Sequence, residues 1–513
     1  MIRSTILISI LVGTMLNSSC QNLEEHNSKQ HLIQKLEKAE NAKDIVSIEL
    51  IFAENVILYT PDLPPVNGKA AVVSIYEFVF AKYNYDFIKY ITDSTYEEQN
   101  KHVEIGININ KKAGQPADTN KFKAVFVQQG DEYKISELSF GNDEDIKREI
   151  PQMIKPTGKY QVGQATYYYD RTKSENNRTI AFQIWYPTQT KSNIKAVYQS
   201  KEVVDASADF LGFPSFMVSY LSLIESNSFT NTPAFPNQKF PVLLYNHGYG
   251  GFTSVYQTVC EDLASNGYIV VSIGHENESA LFITENGNVI ANDPENEFYK
   301  SRSDELNGSI IGEYQSVILN SDILEENQEA YVKLVELSPL HNESTRLWQL
   351  DTKAVFEKLV ELNKTDVNLK GAFDLESVGI FGHSVGGATA GQLGFESNFI
   401  KVGINLDGFQ FGDLVNNSLN IPFMFVSSNR EENRYLRAST FMDKSEVDCY
   451  QVTIKGFTHA SFTDNFLQGD CHEIELQRKL IRTFFDKYLK DSENQLDELE
   501  NVYPEIILKS KIM

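Results

Sequence analysis

The stretch Gly382-His383-Ser384-Val385-Gly386-Gly387 constrains this 513-residue chain more than any other feature. It follows the apolar run Val378-Gly379-Ile380-Phe381 and precedes the small, helix-compatible Ala388-Thr389-Ala390. Together these predict a strand, a sharp turn with a serine at its apex, and a helix. Small flanking residues let the backbone take a strained turn. The helix N-terminus then aims its dipole and free N–H groups at any oxyanion formed beside the serine. The same pattern arises by chance in Gly- and Ser-rich loops, so its weight depends on its surroundings. A nucleophilic serine needs a base, an acid that orients the base, and oxyanion donors, each at the end of a buried strand.

All three are available. Residues 240–245 read as a buried strand running into Asn246-His247-Gly248-Tyr249-Gly250-Gly251, whose glycines allow close backbone approach. Residues 399–406 form another strand pattern, ending in Asp407-Gly408, and 449–454 a third, leading to His459. The chain order Ser384, Asp407, His459 is that of α/β-hydrolases. Neutral imidazole can take the serine proton and return it to a leaving alcohol, while the carboxylate fixes its tautomer. Many such enzymes carry the acid one strand later, which makes Glu431 and Glu432 rivals to Asp407. Those glutamates lie among Arg430, Asn433 and Arg434 in what reads as an exposed helix start, whereas Asp407 ends its strand abruptly before a glycine. His247 and His383 read as structural, His472 as a helix-start residue, and His275 as a cleft residue without a chemical role.

With these segments in hand, residues 156–490 resemble the platelet-activating-factor acetylhydrolase type of α/β-hydrolase and its bacterial relatives. The likeness rests on Pro156-Thr157-Gly158-Lys159-Tyr160, the strand 178–187, Asn246-His247-Gly248-Tyr249-Gly250, residues 262–270, Gly274-His275-Glu276-Asn277, the serine region 373–390 and Gly403-Ile404-Asn405-Leu406-Asp407-Gly408. The spacing of Ser384, Asp407 and His459 is similar to the family's as well. The resemblance implies Ser384 as nucleophile, Asp407 as orienting acid, His459 as general base, and the backbone N–H groups of Tyr249 and Val385 as the oxyanion hole. It implies a doubly wound, mostly parallel sheet, in keeping with the alternation of strand and helix patterns from residue 240 onward. Two departures stand out. A long polar stretch between His275 and Arg346 is expected to form loops and a short helix over the cleft mouth. The apolar insertion 210–224 reads as a core helix, with a wall of an acyl pocket or a membrane-touching lid as alternatives.

Residues 28–143 differ in pattern. An amphipathic helix, the turn Pro61-Asp62-Leu63-Pro64-Pro65, a second helix from Gly68, and alternating strands at 121–127 and 132–138 resemble the SnoaL-like or nuclear-transport-factor-2-like cone, a small α+β domain with one pocket. Some relatives use a pocket carboxylate. Asp62 is the candidate here, but its place between prolines favours a structural turn. The domain is read as a binding or dimerisation module, joined by a linker at 144–155.

The N-terminus, residues 1–20, resembles a bacterial lipoprotein signal peptide: Arg3, a short apolar run from Ile6 to Leu16, and Cys20 as the lipidated residue, with 21–27 as a polar tether. The run is too short to span a bilayer, which needs about 20 apolar residues. Export would place the other cysteines where disulfides persist; Cys449 and Cys471 flank the His459 loop and could pair, while Cys260 reads as core. Residues 491–513 read as a C-terminal tail. No metal-ligand spacing or phosphate-cradling loop is present in the sequence, so neither cofactor nor metal is expected. The net charge of −24 argues against nucleic-acid partners. The expectation is therefore an exported serine hydrolase, lipid-anchored to a bacterial membrane with the outer membrane or cell surface as its destinations, that cleaves short acyl esters of phospholipid-like substrates. A general carboxylesterase acting on polyester or xenobiotic esters, or an inert surface binding protein, are the alternatives.

Overall fold

A computed structural model describes residues 32–61, 63–99, 101–142, 149–170, 178–189, 194–212, 214–284, 286–305, 309–321, 323–428, 438–464, 471–492 and 496–513. Cys20, Asp62, Glu431 and Glu432 lie outside the described residues, as do the signal and tether segments. The chain forms two compact units. One runs to Pro151 and also takes in Leu211–Ile224; the other holds Gln152–Phe210 and Glu225–Met513.

The first unit opens with α1 (residues 32–42), which buries Leu32, Ile33, Leu36 and Ala39 at the spacing of one helical face. Asp44 then caps α2 (Ile45–Ile51) by accepting from the Ser47 amide at 3.1 Å. Next come β1 (Phe52–Tyr59), β2 (Val66–Asn67), α3 (Lys69–Lys82), β3 (Tyr85–Glu98), β4 (Lys101–Lys112), β5 (Ala117–Gln129) and β6 (Glu132–Phe140). They make a six-stranded sheet of order β2-β1-β6-β5-β4-β3. Tyr90, Phe122, Ala124 and Phe126 on its strands share a core with the helical residues Leu36, Ile48, Val72 and Tyr76.

The second unit is built on an eleven-stranded sheet. It begins with β7 (Gln161–Asp170), β8 (Thr179–Thr188), β9 (Lys195–Val197), α4 (Lys201–Leu211) and β10 (Glu225–Thr230). The parallel part follows: β11 (Phe240–Asn246), α5 (Gln257–Ser265) and β12 (Ile269–Ile273). After a small hairpin of β13 (Leu281–Ile283) and β14 (Val289–Ala291), four helices run in succession: α6 (Glu297–Glu305), α7 (Ser309–Asn320), α8 (Leu324–Glu336) and α9 (Pro339–Thr365). The chain then forms β15 (Phe373–His383), α10 (Val385–Glu396), β16 (Ile400–Leu406), β17 (Phe423–Ser428), α11 (Ser439–Met442), β18 (Cys449–Ile454), α12 (Cys471–Leu489), α13 (Leu499–Val502) and β19 (Ile506–Lys511). The sheet order is β19-β18-β17-β16-β15-β11-β12-β8-β7-β10-β9.

Strand β11 is buried on both faces, with Val242 and Leu244 in one core and Leu243 and Tyr245 in the other. Burial of both faces explains its near-continuous apolar sequence. From β11 the chain winds first toward β12 and then returns to β15 on the opposite side. The C-terminal ends of β11 and β15 therefore flank the crevice where strand order reverses, the usual ligand site of an open α/β sheet.

Four expectations are corrected. The stretch between His275 and Arg346 is not loops with one short helix: it holds the β13–β14 hairpin, helices α6, α7 and α8, and the first turns of α9. The 210–224 stretch is not a single core helix. Gly212, at φ +69°, and Pro214 stop α4, and two 3₁₀ turns follow, Ser215–Met217 and Ser219–Leu223. Phe216 joins the core of the first unit, its ring 5.8 Å from Phe78 in an edge-on pair. The expected C-terminal tail is structural: β19 pairs antiparallel with β18 from Ile506 to Lys511, and Leu496 and Leu499 enter the core. Cys449 is a free thiol, buried in β18 and pushed up to about 12 by desolvation, so it does not brace the His459 loop through a disulfide. Cys260 is free and buried, as expected of core.

Candidate active site

Ser384 stands between β15 and α10 with φ +56° and ψ −122°, the left-handed backbone that a β-branched or bulky residue strongly resists. The neighbours make this turn affordable in space. A Cβ on Gly382 would lie 2.2 Å from the Gly386 carbonyl oxygen, and one on Gly386 would lie 2.1 Å from that of Asn246. The Gly-x-Ser-x-Gly spacing is thus a packing requirement as much as a conformational one.

The Ser384 amide donates to the Leu406 carbonyl at 3.0 Å, which sets the turn against the end of β16. Asp407 follows at φ +53°, its own amide donating to Val426 at 2.7 Å. A Cβ on Gly408 would sit 2.2 Å from the Ser384 carbonyl oxygen, so this position also needs glycine. The Asp407 carboxylate is wholly buried and accepts from His459 Nδ1 at 2.8 Å. It accepts further from the Ser428 amide at 2.7 Å and from Ser428 Oγ at 3.0 Å. Three donors converge on one buried carboxylate, which fixes its orientation.

His459 opens a 3₁₀ turn, His459–Phe462, that a reciprocal Thr458–Ser461 capping box holds in place. With Nδ1 committed to Asp407, Nε2 is the nitrogen left for a proton from the serine. The His459 side chain is 43 % exposed, and its ring lies 4.4 Å from that of His383, the residue before Ser384. The three residues read from the sequence are therefore brought together at the C-terminal ends of β15, β16 and β18.

The loop after β11 meets the same point. A Cβ on Gly248 would come within 2.9 Å of His383 Nδ1 and 3.3 Å of Ser384 Cβ. Beyond it, the Gly250 amide donates to Glu278 and the Gly251 amide to Gly248. Among the described residues, the amides of Tyr249 and Val385 donate to no protein acceptor. An oxyanion hole requires two such free N–H groups; Val385 follows Ser384 directly, and Tyr249 follows Gly248, whose added Cβ would lie 3.3 Å from Ser384 Cβ.

The other histidines weighed in the sequence take structural places. His247 bonds Gly248 O at 2.7 Å and Ser279 Oγ at 2.9 Å, and burial holds it down to about 3. His275, expected to line the cleft, is fully buried: it bridges Asp351 at 3.0 Å and Asn246 at 3.1 Å and stacks on Trp348 at 3.8 Å. Desolvation keeps His383 neutral, well below the usual range. His472, in the first turn of α12, pairs with Glu505.

Sequence reasoning missed Ser428. It ends β17, the strand that would carry the acid in the rival arrangement, and supplies donors to the acid instead. A hydroxyl residue closing the strand next to a candidate acid was the available signal.

Residues 146–480 match the family described as platelet-activating factor acetylhydrolase, isoform II. The platelet-activating factor acetylhydrolase of Canis lupus familiaris is 25% identical over 323 residues, covering 60% of this chain and 68% of its own. That of Bos taurus is 26% identical over 331 residues, covering 60% and 67%. A ferulic acid esterase from Streptomyces cinnamoneus superimposes with a TM-score of 0.53 at 19% identity, over 70% of this chain and 99% of the esterase. At that identity the likeness speaks for the fold.

Proposed function

Since the chain belongs to the platelet-activating factor acetylhydrolase isoform II family and is a carboxylic ester hydrolase, we propose that it works through an acyl-enzyme on Ser384. In this reading His459 Nε2 removes the Ser384 proton as Oγ attacks the ester carbonyl. The tetrahedral oxyanion accepts from the Tyr249 and Val385 amides. His459 then protonates the leaving alcohol, and water, activated by the same imidazole, releases the acid and frees Ser384. Asp407 holds the imidazole tautomer and stabilises the imidazolium.

The single observation that carries the reading is the 2.8 Å bond from His459 to a buried Asp407 whose chain neighbour Leu406 receives the Ser384 amide. The substrates proposed are short acyl esters of phospholipid-like alcohols, in keeping with the acetylhydrolase name of the mammalian relatives. The test is a chain-length series of nitrophenyl esters and of phospholipids differing at one acyl position. Short chains are expected to dominate in both, and a preference for long acyl chains would move the reading to a general esterase. Ser384→Ala is expected to abolish turnover of every ester in the series.

We also infer anchoring through a lipidated Cys20, and a binding or dimerisation role for the first unit, whose helices and sheet are in keeping with a SnoaL-like domain. Cys20→Ser is expected to shift the protein from the membrane to the soluble fraction. Metabolic incorporation of labelled fatty acid into the wild type alone checks the anchor itself.

A further inference from the structure

Beneath the loop that carries Tyr249 lies a buried charge cluster drawn from distant parts of the chain. Helix α9 contributes Ser344, Trp348, Asp351 and Thr352, whose spacing puts them on one face. Asp351 accepts Arg178 through both oxygens, at 3.2 and 3.0 Å, and also bonds His275. His275 and Thr352 both reach Asn246 Oδ1, at the start of the loop. A second arm serves the loop's far end. Glu278, fully buried, accepts from Trp348 Nε1 at 2.8 Å and lies 3.6 Å from both Arg178 and Arg302. Its backbone carbonyl receives the Gly250 amide at 2.9 Å, and two residues on, the Ala280 amide donates to Gly251 O at 2.9 Å.

Arg302 links this arm to α6. Its guanidinium lies over Phe298, 3.5 Å from the ring centroid, and donates to Ser344 Oγ at 2.9 Å and Glu343 at 2.7 Å. Less than one turn earlier, Tyr299 stacks on the Tyr249 ring at 4.7 Å and accepts from the Tyr249 hydroxyl at 3.3 Å. Tyr249 is thus held by its side chain from α6, and its backbone from the Glu278 segment. Arg302 and Glu278 are where the two supports meet.

Buried ion pairs are weak evidence for stability, because desolvation offsets most of their attraction; apolar residues would fill the same space as well. Their use here is directional. We propose that Glu278 and Arg302 are positioning residues for ester hydrolysis: their buried pair fixes the Gly250 amide on the Glu278 carbonyl and so aims the Tyr249 N–H at the oxyanion. The inference rests on the Ser384 and Tyr249 reading above.

The test uses the full chain with Glu278→Gln, Arg302→Met and Arg302→Lys, measuring nitrophenyl acetate turnover and inhibition by a trifluoromethyl ketone, whose serine adduct presents an oxyanion. Glu278→Gln and Arg302→Met are expected to lower kcat roughly 10- to 100-fold, below the loss of a whole oxyanion donor. KM should change by less than about 2-fold, and Ki should rise in parallel with the fall in kcat/KM, as expected of an interaction made in the transition state. Arg302→Lys keeps the charge without the planar fork, should fold if the others do not, and should fall between wild type and Arg302→Met on the same line. Unchanged kcat and Ki in the folded variants, or a fall in kcat with Ki unmoved, overturns the proposal. Ser384→Ala in the same assay separates the two levels: residual turnover there sinks the serine reading, whereas a dead Ser384→Ala beside unaffected Glu278 and Arg302 variants sinks only the positioning role.

Discussion

Asp407 Oδ2 accepts from His459 Nδ1, Oδ1 from the Ser428 amide, and the Ser428 hydroxyl lies 3.0 and 3.1 Å from the two oxygens. Replacing Asp407 with Asn leaves the shape but offers an amide where the imidazole N–H needs an acceptor, which favours the wrong tautomer. Asp407→Asn is expected to lower kcat by about 10³- to 10⁴-fold, with the melting transition nearly unchanged. Ser428→Ala removes one hydroxyl donor and keeps the backbone donor, so a loss of roughly 10-fold or less is expected. Glu431→Gln and Glu432→Gln should leave kcat at the wild-type value. A kinetic comparison of the four variants checks the assignment, and silence of Asp407→Asn with loss at either glutamate would transfer the acid to the later strand.

At the scale of elements, the loop bearing His459 closes on α5. The Asp464 amide donates to Val255 O at 2.8 Å, while its carboxylate accepts the Thr258 amide at 2.9 Å and the Thr258 hydroxyl, at the helix N-terminus. Burial pushes Asp464 up to about 7, against the pull of these bonds. A carboxyl raised above its unfolded value of 3.8 binds its proton more tightly when folded. Its stabilising effect is therefore complete below that value and is lost as pH rises through about 7. Asp464→Asn, which stays neutral, should flatten the pH dependence of the melting temperature across this window; an unchanged slope in a pH series would show that Asp464 does not cause it.

The same scale shows what sequence could reveal. The elbow, the glycine loop and the strand ends at Asp407 and before His459 were legible because each is local: a few residues whose types are dictated by one turn or one strand. The cluster of Arg178, Glu278, Arg302 and Asp351 was not, since nothing in any one segment announces partners so far along the chain. Strand β19 was missed because Ile506–Lys511 alternates on an edge, where its polar residues resemble a solvated tail. The 210–224 insertion was read as helix from its apolar content, although Gly212 and Pro214 already carried the stop signal.

For the whole molecule, both units should lose stability as pH rises. In the first, Glu40 is buried and bonded by the Tyr90 hydroxyl at 3.0 Å; desolvation pushes it up to about 8. By the same sign, stability of that unit is expected to fall as pH rises from about 4.5 toward 8. Glu40→Gln should remove the slope and raise the unit's stability at pH 9, as read by denaturant unfolding monitored on that unit. A second prediction concerns division. A protein beginning at Gln152 keeps every proposed catalytic residue but leaves Phe216 without the core it packs in. It is expected to hydrolyse soluble esters and to aggregate, and replacing 211–224 with a short Gly/Ser link should restore solubility; loss of activity in that soluble protein would show that the first unit serves the chemistry.

The excursion of Leu211–Ile224 into the first unit also has a temporal side. A ribosome makes the chain in order, so the N-terminal unit waits, with a gap where Phe216 belongs, while the opening strands β7 and β8 and helix α4 of its neighbour are being synthesised. Neither unit can be inherited by a simple cut at one linker: a gene fusion that swaps residues 1–151 for a foreign domain would deliver a partner with no socket for that aromatic ring. The two folds are thus written consecutively in the gene only in part.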